Sequence, residues 1–117
     1  MKVLLLTLVF FHSILPAKAL EIWGAKHIAL VIEKNKASVT YDCGRGSTSK
    51  WIRRGNEVTA PGHQVSSFVG SRPTPVTFKA FIEGEKMTLR IVGQSFTTKY
   101  VLRKDVEGEL FPCEKVE

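Results

Sequence analysis

Residues 77–103 carry the most regular pattern in the chain, an alternation of apolar and polar side chains in three consecutive runs. A period of two places successive side chains on opposite faces of a β-strand. Segments 83–85 and 93–94, which separate the runs, are typical of tight turns. The pattern predicts a three-stranded antiparallel meander whose core-facing positions are Phe78, Ala80, Ile82, Met87, Leu89, Ile91, Phe96, Thr98, Tyr100 and Leu102.

The N-terminal half shows weaker strand patterns. We expect residues 20–24 to form a lead-in, and the apolar run 27–32 is typical of a buried strand. Alternation over residues 37–43 predicts a second strand that ends at Cys43, with the cysteine on the core side. The Gly-Arg-Gly sequence that follows is predicted to end this strand.

Three further segments are predicted between and after these strands. Residues 57–60 favour a weak strand that Pro61 and Gly62 would stop, because both residues are typical of turns. Residues 63–75 are rich in Ser, Gly and Pro and predict a long loop. Residues 110–113 predict a short final strand.

Residues 47–55 have two interpretations. One is a helical turn capped by Ser47 or Thr48, whose hydroxyls suit that position. The other is a short strand with Trp51 folded onto the core.

About seven or eight short strands without a helix of normal length predict an all-β fold, a small antiparallel meander barrel or sandwich. The two cysteines, Cys43 and Cys113, are expected to form one disulfide that closes it. The alternatives are a reactive thiol pair and a metal site, although two isolated cysteines supply too few ligands for a tetrahedral site.

The first 19 residues have the pattern of a signal peptide. Lys2 precedes an apolar run over residues 3–15, and Ala17-Lys-Ala19 suits cleavage after Ala19. The alternative, a membrane-spanning helix, needs about 20 apolar residues, more than this run supplies. We therefore expect a single β-domain over residues 20–117 that is exported and does not span the membrane.

The net charge of +6 favours anionic partners. Two of the 17 Lys and Arg residues lie in the leader and all 11 acidic residues follow it, so the mature charge would be +4. Phosphate polymers, acidic glycans and lipid headgroups all fit such a charge, and no specific nucleic-acid recognition is predicted.

The predicted meander places basic side chains on its outer face. Lys79, Arg90, Lys99 and Arg103 have the parity opposite to the core positions, so they are candidate contacts for an anionic polymer. The alternative is an ordinary solvated sheet face.

A second basic cluster lies at residues 50–54. Trp51 with Arg53 and Arg54 suits stacking on a ring and binding of phosphate. The alternative is that Trp51 and Ile52 cover an end of the barrel.

Catalytic and metal chemistry find little support. His27, His63 and Asp42 are residue types used in hydrolases and zinc sites, but no Ser lies in a nucleophile motif and no two candidate ligands have helical or hairpin spacing. The Gly44-Arg-Gly46 segment lacks a nucleotide-binding pattern. We predict no enzyme activity, no catalytic residue, no metal and no cofactor.

The order of several motifs resembles a family of small exported bacterial β-proteins of unknown function. The motifs are Gly24-x-x-His27, Tyr41-Asp-Cys43, a Gly-x-x-Met-x-Leu hairpin at residues 84–89, and Cys113. The resemblance implies a bacterial source, hence a periplasmic or secreted location, and a disulfide-closed β-fold. Gly-Arg-Gly stands here where that family usually has Ala-x-Gly.

A looser likeness is to the periplasmic inhibitors of c-type lysozyme, small β-barrels with a Tyr-x-Cys motif and a late cysteine. Tyr41-Asp-Cys43 and Cys113 fit that outline, whereas the expected Ser-Gly-x-x-Tyr loop is absent from the sequence. The sequence thus predicts a non-enzymatic envelope binding module for an anionic component, with a protein partner, such as an inhibited cell-wall hydrolase, as the alternative.

Overall fold

A computed structural model describes residues 20–68 and 70–113 of the chain. The predicted signal peptide lies outside the described residues. Every regular element among these residues is a strand: β1 (Leu20–Ala25), β2 (Ile28–Glu33), β3 (Lys36–Tyr41), β4 (Gly44–Thr48), β5 (Arg53–Arg54), β6 (Glu57–Ser66), β7 (Thr74–Glu83), β8 (Lys86–Val92) and β9 (Thr97–Lys104).

Eight of these strands form a closed antiparallel barrel. Each pairs with its neighbour in chain order, except that β4 pairs directly with β6, and β9 returns to β1 to close the ring. The two-residue β5 pairs with β6 outside the ring. The predicted all-β meander barrel is confirmed, and its three C-terminal strands are β7, β8 and β9.

Side chains fill the barrel interior. An eight-stranded barrel has an interior just wide enough for this. The buried core is Trp23, Ile28, Leu30, Ile32, Ala37, Val39, Trp51, Val58, Ala60, Val76, Phe78, Ala80, Ile82, Met87, Leu89, Ile91 and Leu102, with Tyr41 and Tyr100 packed half-buried against it.

Two expectations for the first half are wrong. The lead-in is strand β1, which pairs with β2 along its whole length. The Gly-Arg-Gly segment does not end a strand but begins β4, and the chain turns earlier, at Asp42 and Cys43. Gly46 faces the core where the ring of Phe78 would be 3.0 Å from an added Cβ, so the glycine serves close strand packing.

The Pro61-Gly62 pair is also not a turn. Strand β6 continues through both residues to Ser66, so the predicted loop 63–75 shrinks to residues 67–73. The backbone carbonyl of Pro61 accepts a hydrogen bond of 2.6 Å from Thr48 Oγ1, and an added Cβ at Gly62 would meet the Ser47 carbonyl. The glycine therefore allows β4 to pair closely with β6.

Residues 49–52 close one end of the barrel. The Trp51 amide donates a hydrogen bond of 2.8 Å to the Asn35 carbonyl, and its side chain is 5% exposed. The segment contains no helical turn. The second interpretation, with Trp51 folded onto the core, is confirmed.

Residues 106–113, which we call the strap, cross the outside of β1 and β2. They form no strand, contrary to expectation, and have a single parallel bridge between Glu109 and Lys26. The strap ends in the disulfide between Cys43 and Cys113, whose Cα atoms are 5.1 Å apart. The bridge was predicted, but Cys43 is exposed in a turn and not on the core side.

Candidate functional site

The outer face of β7, β8 and β9 aligns three cations. Lys79 is the direct cross-strand partner of Arg90, and Arg90 is the partner of Lys99. All three side chains are exposed, as the parity predicted. Neighbouring strands lie about 4.8 Å apart, so the three residues, which we call the basic row, follow one another at that spacing across the sheet.

The basic row has no acidic counterpart in the described part of the chain. Its side chains form no ion pair there, and the nearest pair on this face joins Lys86 Nζ to Glu83 Oε1 at 3.9 Å. Like charges directly opposite each other destabilise a sheet. A bound anion would reverse the sign of that interaction.

Arg103 lies outside the basic row. It is exposed on the same strand as Lys99 but pairs with Lys86, four positions further along β9. Between the basic row and the Lys86–Arg103 pair lies a partly apolar row. In it Phe81 and Val101, 40% and 44% exposed, flank Thr88. The face therefore offers cations beside exposed apolar surface.

The second basic cluster does not keep its aromatic member. Because Trp51 is buried in the core, its ring is not presented to a ligand. Arg53 and Arg54 are exposed on β5. Arg53 Nε donates a hydrogen bond of 2.8 Å to the Gly55 carbonyl, and Arg54 lies opposite Glu57 in the backbone register with β6. The two arginines remain candidates, but apart from the basic row.

A groove continues from the basic face around the barrel, and sequence reasoning missed it. It has a volume of about 940 Å³, and Lys36, Lys50 and His63 line it together with several hydroxyl groups. Thr77 and Val92, cross-strand partners next to the basic row, form its other wall. No Asp or Glu contributes to the groove among the described residues.

His27 and Asp42 come together, although 15 residues separate them in sequence. Their Nδ1 and Oδ2 atoms are 2.6 Å apart, and Asp42 Oδ1 accepts a hydrogen bond of 2.8 Å from the Phe111 amide. The Phe111 N–H, and then His27, lower the pKa of Asp42 although partial burial opposes them. The His27 ring packs on Phe111 at 4.7 Å between centroids, so this pair fastens the strap.

The arrangement around His27 does not match a hydrolase site. In residues 20–68 and 70–113, the one side-chain hydrogen bond of His27 goes to Asp42, and no hydroxyl completes a triad. His63 lies away from it on the outer face of β6, paired with Ser47. No group of three His, Cys, Asp or Glu side chains is placed to hold a metal within the described ranges.

The end of the barrel opposite Trp51 has an open mouth. Its cavity of about 320 Å³ is lined by aromatic, polar and charged side chains, among them His27, Tyr41, Asp42, Gln64, Ile91, Phe96 and Tyr100. Burial raises the pKa of Tyr41, and Tyr100 adds to this. The only sequence signal for this site was the inward parity of Tyr41 and Tyr100 near the ends of their strands.

Comparison with protein-family models, curated proteins and solved structures finds no match to this chain. The resemblances drawn from motif order therefore stay predictions. Among the described residues, no helix is long and apolar enough to span a membrane. The disulfide agrees with an oxidising compartment outside the cytoplasm, where such bridges persist.

Proposed function

We propose that this protein is a non-enzymatic, exported binding module of the bacterial envelope that contacts an anionic polymer or surface through the basic row. The observation that carries the proposal is the direct pairing of Lys79, Arg90 and Lys99 on neighbouring strands without an ion pair in the described chain. Phosphate groups along a polymer or membrane would neutralise all three cations at once, with Arg103 as an outer contact.

The groove supports an extended ligand over a single small ion. Two lysines and several hydroxyl groups line it beside a larger apolar surface, and it meets the basic row at Thr77 and Val92. A polymer that lies on the row can continue into this groove without meeting a carboxylate of the described residues. Lys36 and Lys50 would then hold its distal charges.

Binding to lipopolysaccharide, measured at increasing salt, tests the proposal. A triple variant with Lys79→Gln, Arg90→Gln and Lys99→Gln should lose most of the affinity, because neutralisation of phosphate by cations releases counterions. Three such contacts give a slope of roughly −3 in log affinity against log salt for duplex-like polyanions, and the variant should flatten it. Peptidoglycan and duplex DNA serve as comparison ligands.

The matched control removes three cations elsewhere. Lys26→Gln, Lys34→Gln and Arg45→Gln give the same net charge and lie at exposed positions between β1 and β4. None of the three borders the groove, so this control should keep most of the affinity that the row variant loses. Equal losses in both variants would mean that net charge alone drives binding, and the proposal would then be wrong.

The second candidate, inhibition of a cell-wall hydrolase, has one observation in its favour. Phe68, in the loop between β6 and β7, is 46% exposed, and such an exposed aromatic side chain suits a protein contact. Replacement of residues 67–73 by a short turn should abolish inhibition of a c-type lysozyme but leave lipopolysaccharide binding intact. Both candidate functions require a periplasmic or secreted protein.

A further inference from the structure

The barrel mouth differs in character from the rest of this basic protein. Four connections meet at this end: residues 26–27, 42–43, 67–73 and 93–96. Among the described residues around the cavity there is one carboxylate, Asp42, which is paired with His27, and neither a Lys nor an Arg. The mouth differs in this from the groove, which Lys36 and Lys50 line.

Aromatic rings form the walls of the mouth. Tyr41 and Tyr100 lie nearly parallel, with ring centroids 6.2 Å apart and an interplanar angle of 15°. Both are anchored in the core, and Tyr41 Oη donates a hydrogen bond of 3.2 Å to Gln64 Oε1. The walls are therefore fixed before any ligand arrives, which reduces the ordering cost of binding.

Phe96 supplies a third ring at the rim. The Gly93 amide donates to the Phe96 carbonyl at 2.8 Å, which closes a tight turn. The Phe96 ring then lies over Gly93, in the space that a side chain at that position would fill. Phe96 is 40% exposed, so it borders the cavity without being part of the core.

Asp42 gives the mouth its charge. The Phe111 amide and His27 hold its carboxylate in place, and both contacts favour the ionised form. The pKa of Tyr100 is raised first by burial and then by Asp42, so the field of this carboxylate reaches the aromatic wall.

We propose that the mouth binds a small organic cation, an alkylated ammonium group, against the aromatic wall formed by Tyr41, Phe96 and Tyr100, with Asp42 as the counter-charge. Aromatic faces attract such cations, and a nearby carboxylate adds to the attraction. The cavity of about 320 Å³ suits a headgroup-sized ligand. The site lies inside the barrel end and does not depend on the proposed function of the basic row.

The test is a titration of the oxidised protein with choline at pH 8. The readout is the NMR shift of the aromatic protons of Tyr41, Phe96 and Tyr100. Dimethylbutanol, the uncharged carbon isostere of choline, is titrated in parallel. We expect saturable shifts of these rings with choline and about tenfold weaker binding of the isostere, since the shape is shared and only the charge differs.

Three variants locate the site. Phe96→Ala removes an exposed ring and should weaken choline binding, and Asp42→Asn should weaken it while keeping the size of the side chain. Phe81→Ala removes an equally exposed ring outside the mouth, since Phe81 and Phe96 are both 40% exposed, and should bind choline as the unchanged protein does. The melting temperature of each variant shows that it is folded.

Three results would overturn the proposal. Equal affinity for choline and dimethylbutanol would mean that the mouth selects shape and not charge. Choline shifts that stay unchanged in folded Phe96→Ala and Asp42→Asn would place the cation elsewhere. Shifts that do not saturate at millimolar choline would show that the mouth does not bind it specifically.

Discussion

At the scale of single residues, Asp42 connects two parts of the chain that are 69 positions apart. Its carboxylate holds the Phe111 amide of the strap on one oxygen and His27 on the other. Both partners favour the charged carboxylate, which is why its pKa is lowered in the folded protein. Attachment of the strap therefore depends on the ionisation of one side chain.

Acid should weaken this attachment. A carboxyl whose pKa is lower in the folded than in the unfolded state stabilises the fold fully above its ordinary pKa of about 3.9, and this contribution is lost as the pH falls through the lowered value. Asp42→Asn should therefore melt below the unchanged protein at pH 7, and the gap should narrow below about pH 4. Melting curves from neutral to acid pH measure this.

The control for this prediction is Glu107→Gln. Glu107 is an exposed carboxylate of the same strap. Its replacement should give a small melting-temperature difference at every pH. An Asp42→Asn difference that stays constant from pH 7 into acid would contradict the prediction.

The sequence predicted side-chain orientation better than strand ends at this scale. Lys79, Arg90 and Lys99 are exposed because alternation fixes the face, and their pairing follows from turns centred at residues 84–85 and 94–95. Cys43 was misplaced because alternation cannot show that the chain has already turned at Asp42. The alternation of apolar and polar residues can continue in the sequence past the point where the strand has ended.

At the scale of elements, the connection between β4 and β6 decides how the barrel is closed. It places Trp51 inside one barrel end, while its neighbour Ile52 remains 47% exposed. The pair therefore gives a matched test of what closes this end.

Trp51→Ala should destabilise the protein by about 3–5 kcal/mol, because it leaves a large cavity in the core. Ile52→Ala, one residue further, should change the free energy of unfolding by about 0.5 kcal/mol or less. Urea denaturation of both variants measures the difference. Similar values for the two would show that Trp51 does not close the barrel.

The strands around Pro61 and Gly62 show where local patterns fail. Pro-Gly normally indicates a turn, but the ladder to β7 continues through both residues. Here Gly62 has no side chain that would collide with β4, and the Pro61 carbonyl accepts a hydrogen bond from the Thr48 hydroxyl. Both causes are contacts between distant segments, so no reading of residues 57–66 alone would find them. The mouth escaped prediction for the same reason, because Tyr41, Gln64 and Phe96 meet only when the barrel closes.

At the scale of the whole molecule, the disulfide is the largest single constraint on the unfolded chain. The two cysteines are 70 residues apart. A closed loop of this size corresponds to about 4 kcal/mol in the chain-entropy account. For a small domain with a stability of about 5–15 kcal/mol, that is a large share.

Cys43→Ser combined with Cys113→Ser should therefore lower the melting temperature by on the order of 15 °C, at about 4 °C per kcal/mol. Lipopolysaccharide binding of the protein that remains folded should be unchanged, since the basic row lies on β7, β8 and β9. Reduction of the unchanged protein is the companion measurement. A melting temperature that does not respond to reduction would refute the role given to the bridge.

The ring of strands has one weak joint. Strands β8 and β9 share seven residue pairs, whereas β9 and β1 share two. Fluctuations should part the ring at that joint first, which would turn the barrel into an open sheet with two free edges. The strap follows β9, passes over β1 at Gly24 and is held beyond it by the disulfide, so it keeps β9 and β1 together. Free edges pair readily with other chains, so we expect reduction of the disulfide to make the protein aggregate more readily.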